Sequence, residues 1–185
     1  MDLKQFCGTE ESRPYIMAPF SIGQWTYATN GHICVRIPRL PDVAEPTEPK
    51  ILKAEKLFEE MPADGYAPLP SIALEADEDD ACDECDGRGY EHDCPGCLCT
   101  CDACNGTGHP LPGHKTTVGI GDAIFNGRYI FQLLKLPNVV MTTPCMQPGT
   151  GSGKAAFFRF DGGEGCLMEM LGKNSRHIET SEKAA

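Results

Sequence analysis

The most informative part of this sequence is a short motif that occurs twice. Residues 82–89 read CDECDGRG and residues 101–108 read CDACNGTG, so both follow the pattern C-x-x-C-x-G-x-G. Two thiolates three residues apart can bind one side of a metal ion, and the glycines permit the turn that brings backbone N–H groups close to the sulfurs. The repeats together predict one tetrahedral metal site, with zinc as the expected ion. Its four ligands would be Cys82, Cys85, Cys101 and Cys104.

The residues between the repeats could supply a second zinc site. Its ligands would be Cys94, Cys97 and Cys99 with one histidine, either His92 or one of His109 and His114. Alternatively these thiols are spare, or the ligands of the first site pair differently. The sequence therefore leaves the number of zinc ions at one or two.

Two other interpretations of the cysteines are less favoured. A disulfide framework is typical of secreted proteins, and the amino terminus lacks the pattern of a signal peptide. A catalytic redox pair needs an exposed thiolate with a lowered pKa, and acidic surroundings are expected to raise thiol pKa values. The isolated Cys7, Cys34, Cys145 and Cys166 are predicted to be free thiols, buried by default.

The charge of the chain is as uneven as its cysteine content. The 185 residues carry a net charge of −11, yet residues 75–104 hold 11 of the 27 acidic residues and a single basic one, Arg88. This segment would repel a phosphate backbone, which argues against a nucleic-acid-binding surface there, whereas DNA binding by the rest of the chain stays open. No apolar run is long enough to span a membrane, and a cytoplasmic protein is expected.

An acidic run precedes the first repeat. It is interpreted either as a solvated linker or as an electrostatic recognition surface for a basic protein partner. Its residues are Glu75, Asp77, Glu78, Asp79 and Asp80.

The repeated motif resembles the cysteine-rich zinc domain of the DnaJ (Hsp40) chaperones, which carries four such repeats. The J domain of those chaperones requires His-Pro-Asp, whereas here Leu111 follows His109-Pro110. The resemblance therefore implies a DnaJ-type zinc module and does not imply co-chaperone activity.

The flanks of the repeats predict an α+β fold, since strand and helix patterns are grouped along the chain. Helical spacing predicts a helix over residues 51–61 and a second one, capped by Asp122, over residues 123–136. Alternating or β-branched and aromatic segments predict strands over residues 14–20, 24–29, 32–37, 115–120, 138–143, 154–160 and 166–170.

These flanks resemble one domain of a DNA sliding clamp, the bacterial DNA polymerase III beta subunit. The matching stretches are TNGHICVR at 29–36, FNGRYI at 125–130 and CLMEM at 166–170. The resemblance implies a clamp-like domain, an antiparallel sheet plus helix, in a bacterial or phage-encoded protein. A clamp chain normally carries two or three such domains, and the helix predicted over 123–136 has only Arg128 and Lys135 as basic residues.

The resulting domain division is discontinuous. Residues 1–43 and 115–171 form the clamp-like domain, and residues 44–81 form a proline-rich loop, a short helix and an acidic linker. Residues 82–108 form the zinc module, and residues 172–185 form a flexible tail.

Three functions are compatible with this sequence. The favoured one is a non-enzymatic zinc-binding interaction or adaptor protein, since a closed four-thiolate shell leaves no position for a substrate. The clamp resemblance would link it to DNA replication or repair. The alternatives are a ring-forming clamp, which would be a homo-oligomer, and a thiol-redox or chaperone-like activity of the C-x-x-C pairs. No catalytic residue is predicted, because no nucleophile and base can be paired from the sequence.

Overall fold

The computed structural model describes residues 1–9, 13–48, 51–59, 61–70, 72, 81–91, 99–101, 103–104, 106–146, 154–170 and 176–179. The strands are β1 (Phe20–Ile22), β2 (Trp25–Thr29), β3 (Ile33–Pro38), β4 (Tyr66–Pro68), β5 (Tyr90–Glu91), β6 (Cys99–Thr100), β7 (Thr116–Ile120), β8 (Ala123–Asn126), β9 (Val140–Thr142), β10 (Cys145–Met146), β11 (Lys154–Phe160), β12 (Gly163–Met168) and β13 (Arg176–Glu179). The helices are α1 (Lys56–Glu59) and α2 (Gly127–Leu134), with 3-10 turns at Leu3–Phe6, Pro14–Ile16 and Ile51–Glu55.

The main sheet joins the two halves of the chain that flank the cysteine repeats. Its strands lie in the order β1-β2-β3-β12-β11-β9-β4, and β10 also pairs with β11. The central junction is antiparallel and pairs β3 with β12, for example Cys34 with Cys166 and Ile33 with Leu167. The mostly antiparallel sheet with few helices is compatible with the expected α+β class.

Both faces of the main sheet are covered, because successive residues of its strands alternate between two cores. In β11, Ala156, Phe158 and Phe160 face the larger core, which also contains Phe125 of β8 and residues of α2. Phe157 faces the opposite core, where Phe58 of α1 packs. A strand buried on both faces is expected to be mostly apolar, and five of the seven residues of β11 (KAAFFRF) are apolar.

A partly buried ion pair fixes β3 to β12 on the α1 side of the sheet. The Arg36 guanidinium donates to Glu164 at 2.8 Å from Nε, and the two side chains are only 15% and 18% exposed. The guanidinium also lies over two aromatic rings, with Cζ 4.5 Å from the ring centroid of Trp25 and 4.0 Å from that of Phe58. Arg36 thereby connects the sheet to the segment that covers it.

The helix predicted over residues 123–136 is wrong in its first turn. Residues 123–126 form β8, in which buried and half-buried residues alternate and which pairs with β7. The helix cap is therefore Asn126, whose side chain accepts a hydrogen bond from the Arg128 backbone N–H at 3.0 Å, and Asp122 instead contacts the Lys154 ammonium. The alternation of apolar residues at Ala123 and Phe125 is difficult to recognise in the sequence, because the apolar residues of α2 follow it directly.

Several other predicted boundaries differ from the structure. Residues 14–20, predicted as a strand, begin with a 3-10 turn at Pro14–Ile16, since proline lacks the N–H that a ladder requires. The segment 44–81 is more than a loop, a helix and a linker, because β4 pairs with β9 at the edge of the main sheet and Ile51 is buried in the core. Its predicted helix is divided between a 3-10 turn and α1.

The carboxy-terminal segment also departs from expectation. Residues 172–185 were predicted as a flexible tail, but Arg176–Glu179 forms β13, which pairs in parallel with β7 in a sheet of order β13-β7-β8. The polar composition of this segment gave no period-two signal, and its strand depends on a neighbour distant in sequence. Among the described residues, no helix has the length and the apolar character that crossing a membrane requires.

The Arg36–Glu164 pair can be tested against an exposed pair in the same chain. We expect Glu164→Gln to lower the free energy of unfolding by about 1–3 kcal/mol, because it leaves a shielded guanidinium without its carboxylate. The control is Glu45→Gln, whose partner Arg39 lies 3.1 Å away in an exposed pair; this change should cost less than about 1 kcal/mol. Urea denaturation of both variants measures the difference, and equal costs would contradict this role of Arg36.

Candidate metal centre

The structure brings together the four cysteines of the repeated motif. Their sulfur atoms all lie within 4.8 Å of one another, and all four residues are buried. The closest pairs join equivalent positions of the two repeats, with 3.8 Å between the Sγ atoms of Cys82 and Cys101 and 3.8 Å between those of Cys85 and Cys104. These four side chains could therefore hold one metal ion between them.

The spacing of the sulfurs agrees with a tetrahedral thiolate site. A zinc–sulfur bond is about 2.3 Å long, so two sulfurs on a tetrahedral zinc are about 3.8 Å apart. Disulfide-bonded sulfurs would be about 2.0 Å apart, and all four cysteines are free thiols in the structure. The geometry thus favours a shared ion over a disulfide framework.

The two repeats are related to each other by matching backbone hydrogen bonds. The Cys82 N–H donates to the Gly108 carbonyl at 2.8 Å, and the Cys101 N–H donates to the Gly89 carbonyl at 3.0 Å. A two-residue ribbon continues the pairing, since Tyr90 of β5 lies opposite Thr100 of β6. Each repeat therefore closes the other, and neither forms the site alone.

The final glycine of each motif is required by both conformation and space. Gly89 and Gly108 have φ values of +80° and +79°. A Cβ atom on Gly89 would lie 2.4 Å from the Gly106 carbonyl oxygen, and one on Gly108 would lie 2.3 Å from the Gly87 carbonyl oxygen. Both contacts are too short for any side chain. The glycines at the ends of the motifs thus permit the two knuckles to pack against each other.

The same glycines donate hydrogen bonds to the sulfurs. The Gly89 N–H lies 3.2 Å from the Cys85 Sγ, and the Gly108 N–H lies 3.3 Å from the Cys104 Sγ. Such donors stabilise negative charge on sulfur, which four thiolates around one divalent ion require. The second cysteine and the last glycine of each motif therefore act together.

The pKa values of Cys82, Cys85 and Cys101 are shifted by burial and by hydrogen bonds, whereas the sequence indicates an effect of the acidic surroundings. Burial raises the pKa of Cys101 to about 12, and it also raises the pKa of Cys82. Burial alone would raise the pKa of Cys85 as well, but hydrogen bonds from the Gly89 N–H and the neighbouring thiols outweigh it, and this pKa is lowered. Cys85 is completely buried, so its thiolate suits a metal better than an external disulfide.

The cysteine cluster is linked to the rest of the fold by a few polar contacts. The Lys115 ammonium, next to β7, lies 2.9 Å from the Asp83 carboxylate in the first repeat. The Leu111 N–H donates to the Ala103 carbonyl at 3.3 Å. Neither contact can be predicted from the sequence, because the two residues that each contact joins do not belong to a common motif.

The remaining predicted site residues are only partly described. Cys99 lies in β6, whereas His92, Cys94 and Cys97 lie outside the described residues, so the second zinc site stays a prediction. The proposed recognition surface, Glu75, Asp77, Glu78, Asp79 and Asp80, also lies outside the described residues.

The isolated cysteines are not equally buried. Cys34 and Cys166 are buried, as expected, while Cys7 is half-buried and Cys145 is exposed. The expectation of burial is therefore wrong for Cys145, which lies in the short strand β10.

Comparison of this chain with models of known protein families, with curated proteins and with solved structures gave no match. The class that the fold and the site define is thus a mostly antiparallel α+β protein with a buried four-cysteine cluster able to hold a metal ion.

The close contact between the repeats at their last glycines can be tested by substitution. We expect Gly89→Ala to weaken metal binding at least about tenfold, because a methyl group there forces the repeats apart and moves the N–H donor of Cys85. Gly65→Ala is a matched control, since Gly65 has a φ of +82° but nothing within 4 Å of its Cβ position. Competition with a colorimetric chelator would compare the two, and equal affinities would show that the contact between the repeats is unimportant.

Proposed function

We propose that this protein is a non-enzymatic zinc-binding protein whose metal has a structural role and whose zinc module supports binding of another protein. The observation that carries the proposal is the closed arrangement of Cys82, Cys85, Cys101 and Cys104, each at most 1% exposed. A catalytic zinc keeps one position open for water or substrate, whereas four buried sulfurs fill the tetrahedron. Zinc is the metal proposed, since it favours four thiolates and has no redox chemistry of its own.

The structural role follows from what else is buried around the sulfurs. The local core contains the four cysteines and Ala103. By contrast, the cores on the two faces of the main sheet contain large apolar side chains such as Phe125, Phe158 and Phe157. The described part of this segment buries too little apolar surface to offset its own conformational entropy, so a metal has to supply that stability.

The binding role is supported by the charge of the module surface. Asp83, Glu84 and Asp86 are exposed on the first repeat. Lys115 balances Asp83 and Arg88 lies 3.3 Å from Asp86, so part of this charge is neutralised within the chain. The acidic run that precedes the repeat adds further negative charge close by in sequence. A basic protein surface is the partner that this charge distribution would attract.

The link to DNA replication or repair is part of this proposal and depends on the resemblance of the flanks to a sliding-clamp domain. The alternative is that the chain forms a clamp-like ring around DNA.

Native mass spectrometry of the protein purified without chelator reports metal per chain and subunits per particle in one experiment. A zinc-bound monomer or dimer would support the adaptor, and a closed ring of six chains would overturn it in favour of the ring.

Removal of the metal tests the structural role. We expect chelation to abolish hydrogen-exchange protection at residues 81–91 and 99–108 while β3, β11 and β12 keep theirs, because the two cores share no residue with the cysteine cluster. Hydrogen exchange followed by mass spectrometry measures both regions together. Simultaneous loss of protection across the whole chain would contradict a separately stabilised module.

Single cysteine variants test the ligand assignment. Cys85→Ser should lower zinc affinity by more than about 100-fold, since it removes one of the four thiolates that would complete the tetrahedral shell. Cys145→Ser is the control, because Cys145 is exposed in β10 and does not belong to the cluster. Zinc retention equal to that of the wild type in Cys85→Ser would overturn the assignment.

The acidic recognition surface needs a test of its own. Replacing Glu75, Asp77, Glu78, Asp79 and Asp80 by their amides should weaken binding to a polylysine peptide at low salt, while zinc content stays unchanged. The control variant removes the same number of charges from Asp42, Glu45, Glu48, Glu55 and Glu59, outside the module. If both variants lose binding equally, the interaction depends on net charge alone, and the proposed surface is wrong.

A further inference from the structure

The strand β13 lies at one edge of the small sheet that it forms with β7 and β8. Among the described strands it pairs with β7 alone, in parallel, over the four residues Arg176–Glu179. Its sequence, RHIE, contains one aliphatic residue, Ile178, which is half-buried. A parallel pair is slightly less stable per residue than an antiparallel one, and four residues form few backbone hydrogen bonds to offset the entropy of ordering them. We therefore expect β13 to separate from its neighbour more readily than the central strands of the main sheet.

The strand β7 is held in place by contacts that do not involve β13. Val118 of β7 lies opposite Phe125 of β8 in the antiparallel pair, and both side chains are fully buried in the larger core. When β13 separates, β7 keeps this pairing, while the backbone N–H and C=O groups along its outer edge lose their partner strand. Such an edge is a template on which another extended segment can pair.

The zinc module determines the charge at one end of this edge. Thr116, the first residue of β7, follows Lys115, whose ammonium lies 2.9 Å from the Asp83 carboxylate of the first repeat. Asp83 and its neighbour Glu84 are both exposed. The edge of β7 thus begins beside an acidic surface of the module, and one lysine balances two carboxylates only in part.

The register of β13 shows what kind of segment this edge accepts. The parallel pairing places Arg176 opposite Thr116 and Ile178 opposite Val118. The basic residue of the strand therefore lies at the end of the ladder that is nearer to the zinc module, and the aliphatic residue lies at the level of the larger core. The segment 170–178 contains a lysine, an arginine and a histidine but no acidic residue. A basic segment with one aliphatic residue thus already occupies the edge next to the acidic module.

We propose that the outer edge of β7 is the docking site for an extended basic segment of the protein partner, which binds as a parallel strand in place of β13. Main-chain hydrogen bonds to β7 supply affinity, and the acidic module selects a basic residue two positions before an aliphatic one. In the absence of the partner, β13 covers the edge and prevents unspecific pairing. This inference rests on the proposed function, because its occupant is a segment of the basic protein partner described above.

The test uses the zinc-loaded full chain and a fluorescent peptide with the sequence of residues 172–181, GKNSRHIETS. Fluorescence anisotropy measures its affinity, and NMR of the isotope-labelled chain should show shifts at residues 116–120 of β7. We expect Ile178→Pro in the chain to raise the affinity about tenfold or more, because proline does not pair within a ladder and its own strand then frees the edge. Ala184→Pro, which follows β13 in the sequence, is the control and should leave the affinity unchanged.

Variants of the peptide test the two features required of the occupant. The peptide that carries Ile178→Pro should not bind, and the peptide that carries Arg176→Gln should bind about threefold or more weakly at low salt, because it lacks one charge beside the acidic module. Both are also titrated into the wild-type chain, so that the comparison does not depend on the folding of the chain variant. Undiminished binding of the proline peptide would overturn the docking site, and undiminished binding of the glutamine peptide would contradict a basic occupant.

The outcomes also separate this inference from the proposed function. A zinc-loaded Ile178→Pro chain that binds polylysine but not the peptide would overturn the docking site and leave the proposed function intact, whereas a chain that binds neither would overturn both. Analytical ultracentrifugation tests a second copy as the occupant. A wild-type dimer that dissociates in the Ile178→Pro variant would show that β13 is exchanged between two copies, which contradicts an edge that serves a different protein.

Discussion

Four sulfurs confined within 4.8 Å of one another are the constraint on which the middle of this chain depends. Four thiolates in such a small space repel one another unless a cation is shared, and among the described residues of this segment the cluster adds Ala103 to the four cysteines. The hydrogen bonds exchanged between the two repeats, from Cys82 to Gly108 and from Cys101 to Gly89, are correctly placed only while the sulfurs stay together. Under the proposed function, metal binding and local folding are therefore one process in this segment.

The rest of the molecule is stabilised by the burial of apolar side chains, which does not require a metal ion. The main sheet divides the apolar residues of β11 between two cores, and the Arg36–Glu164 pair fixes one face of it to α1. Helix α2 packs on the other face and leaves Arg128 and Lys135 beside a cleft.

The sequence predicts those parts of the structure that depend on a pattern within one short segment. The C-x-x-C-x-G-x-G repeat identifies the four cysteines and provides a physical reason for Gly89 and Gly108. The bounds predicted for residues 154–160 are correct because five of the seven residues of β11 are apolar. The strand β8 was missed since its period of two continues directly into a helical period, and β13 was missed because its pairing with β7 is a distant contact.

The most direct measurement of the central claim is zinc X-ray absorption spectroscopy of the protein as purified. A shell dominated by sulfur at about 2.3 Å is the result that a closed four-thiolate site predicts. A shell in which nitrogen or oxygen atoms make up half of the ligands or more would contradict it, and so would a protein that carries no zinc. Either result would remove the reason for regarding Cys82, Cys85, Cys101 and Cys104 as one structural centre.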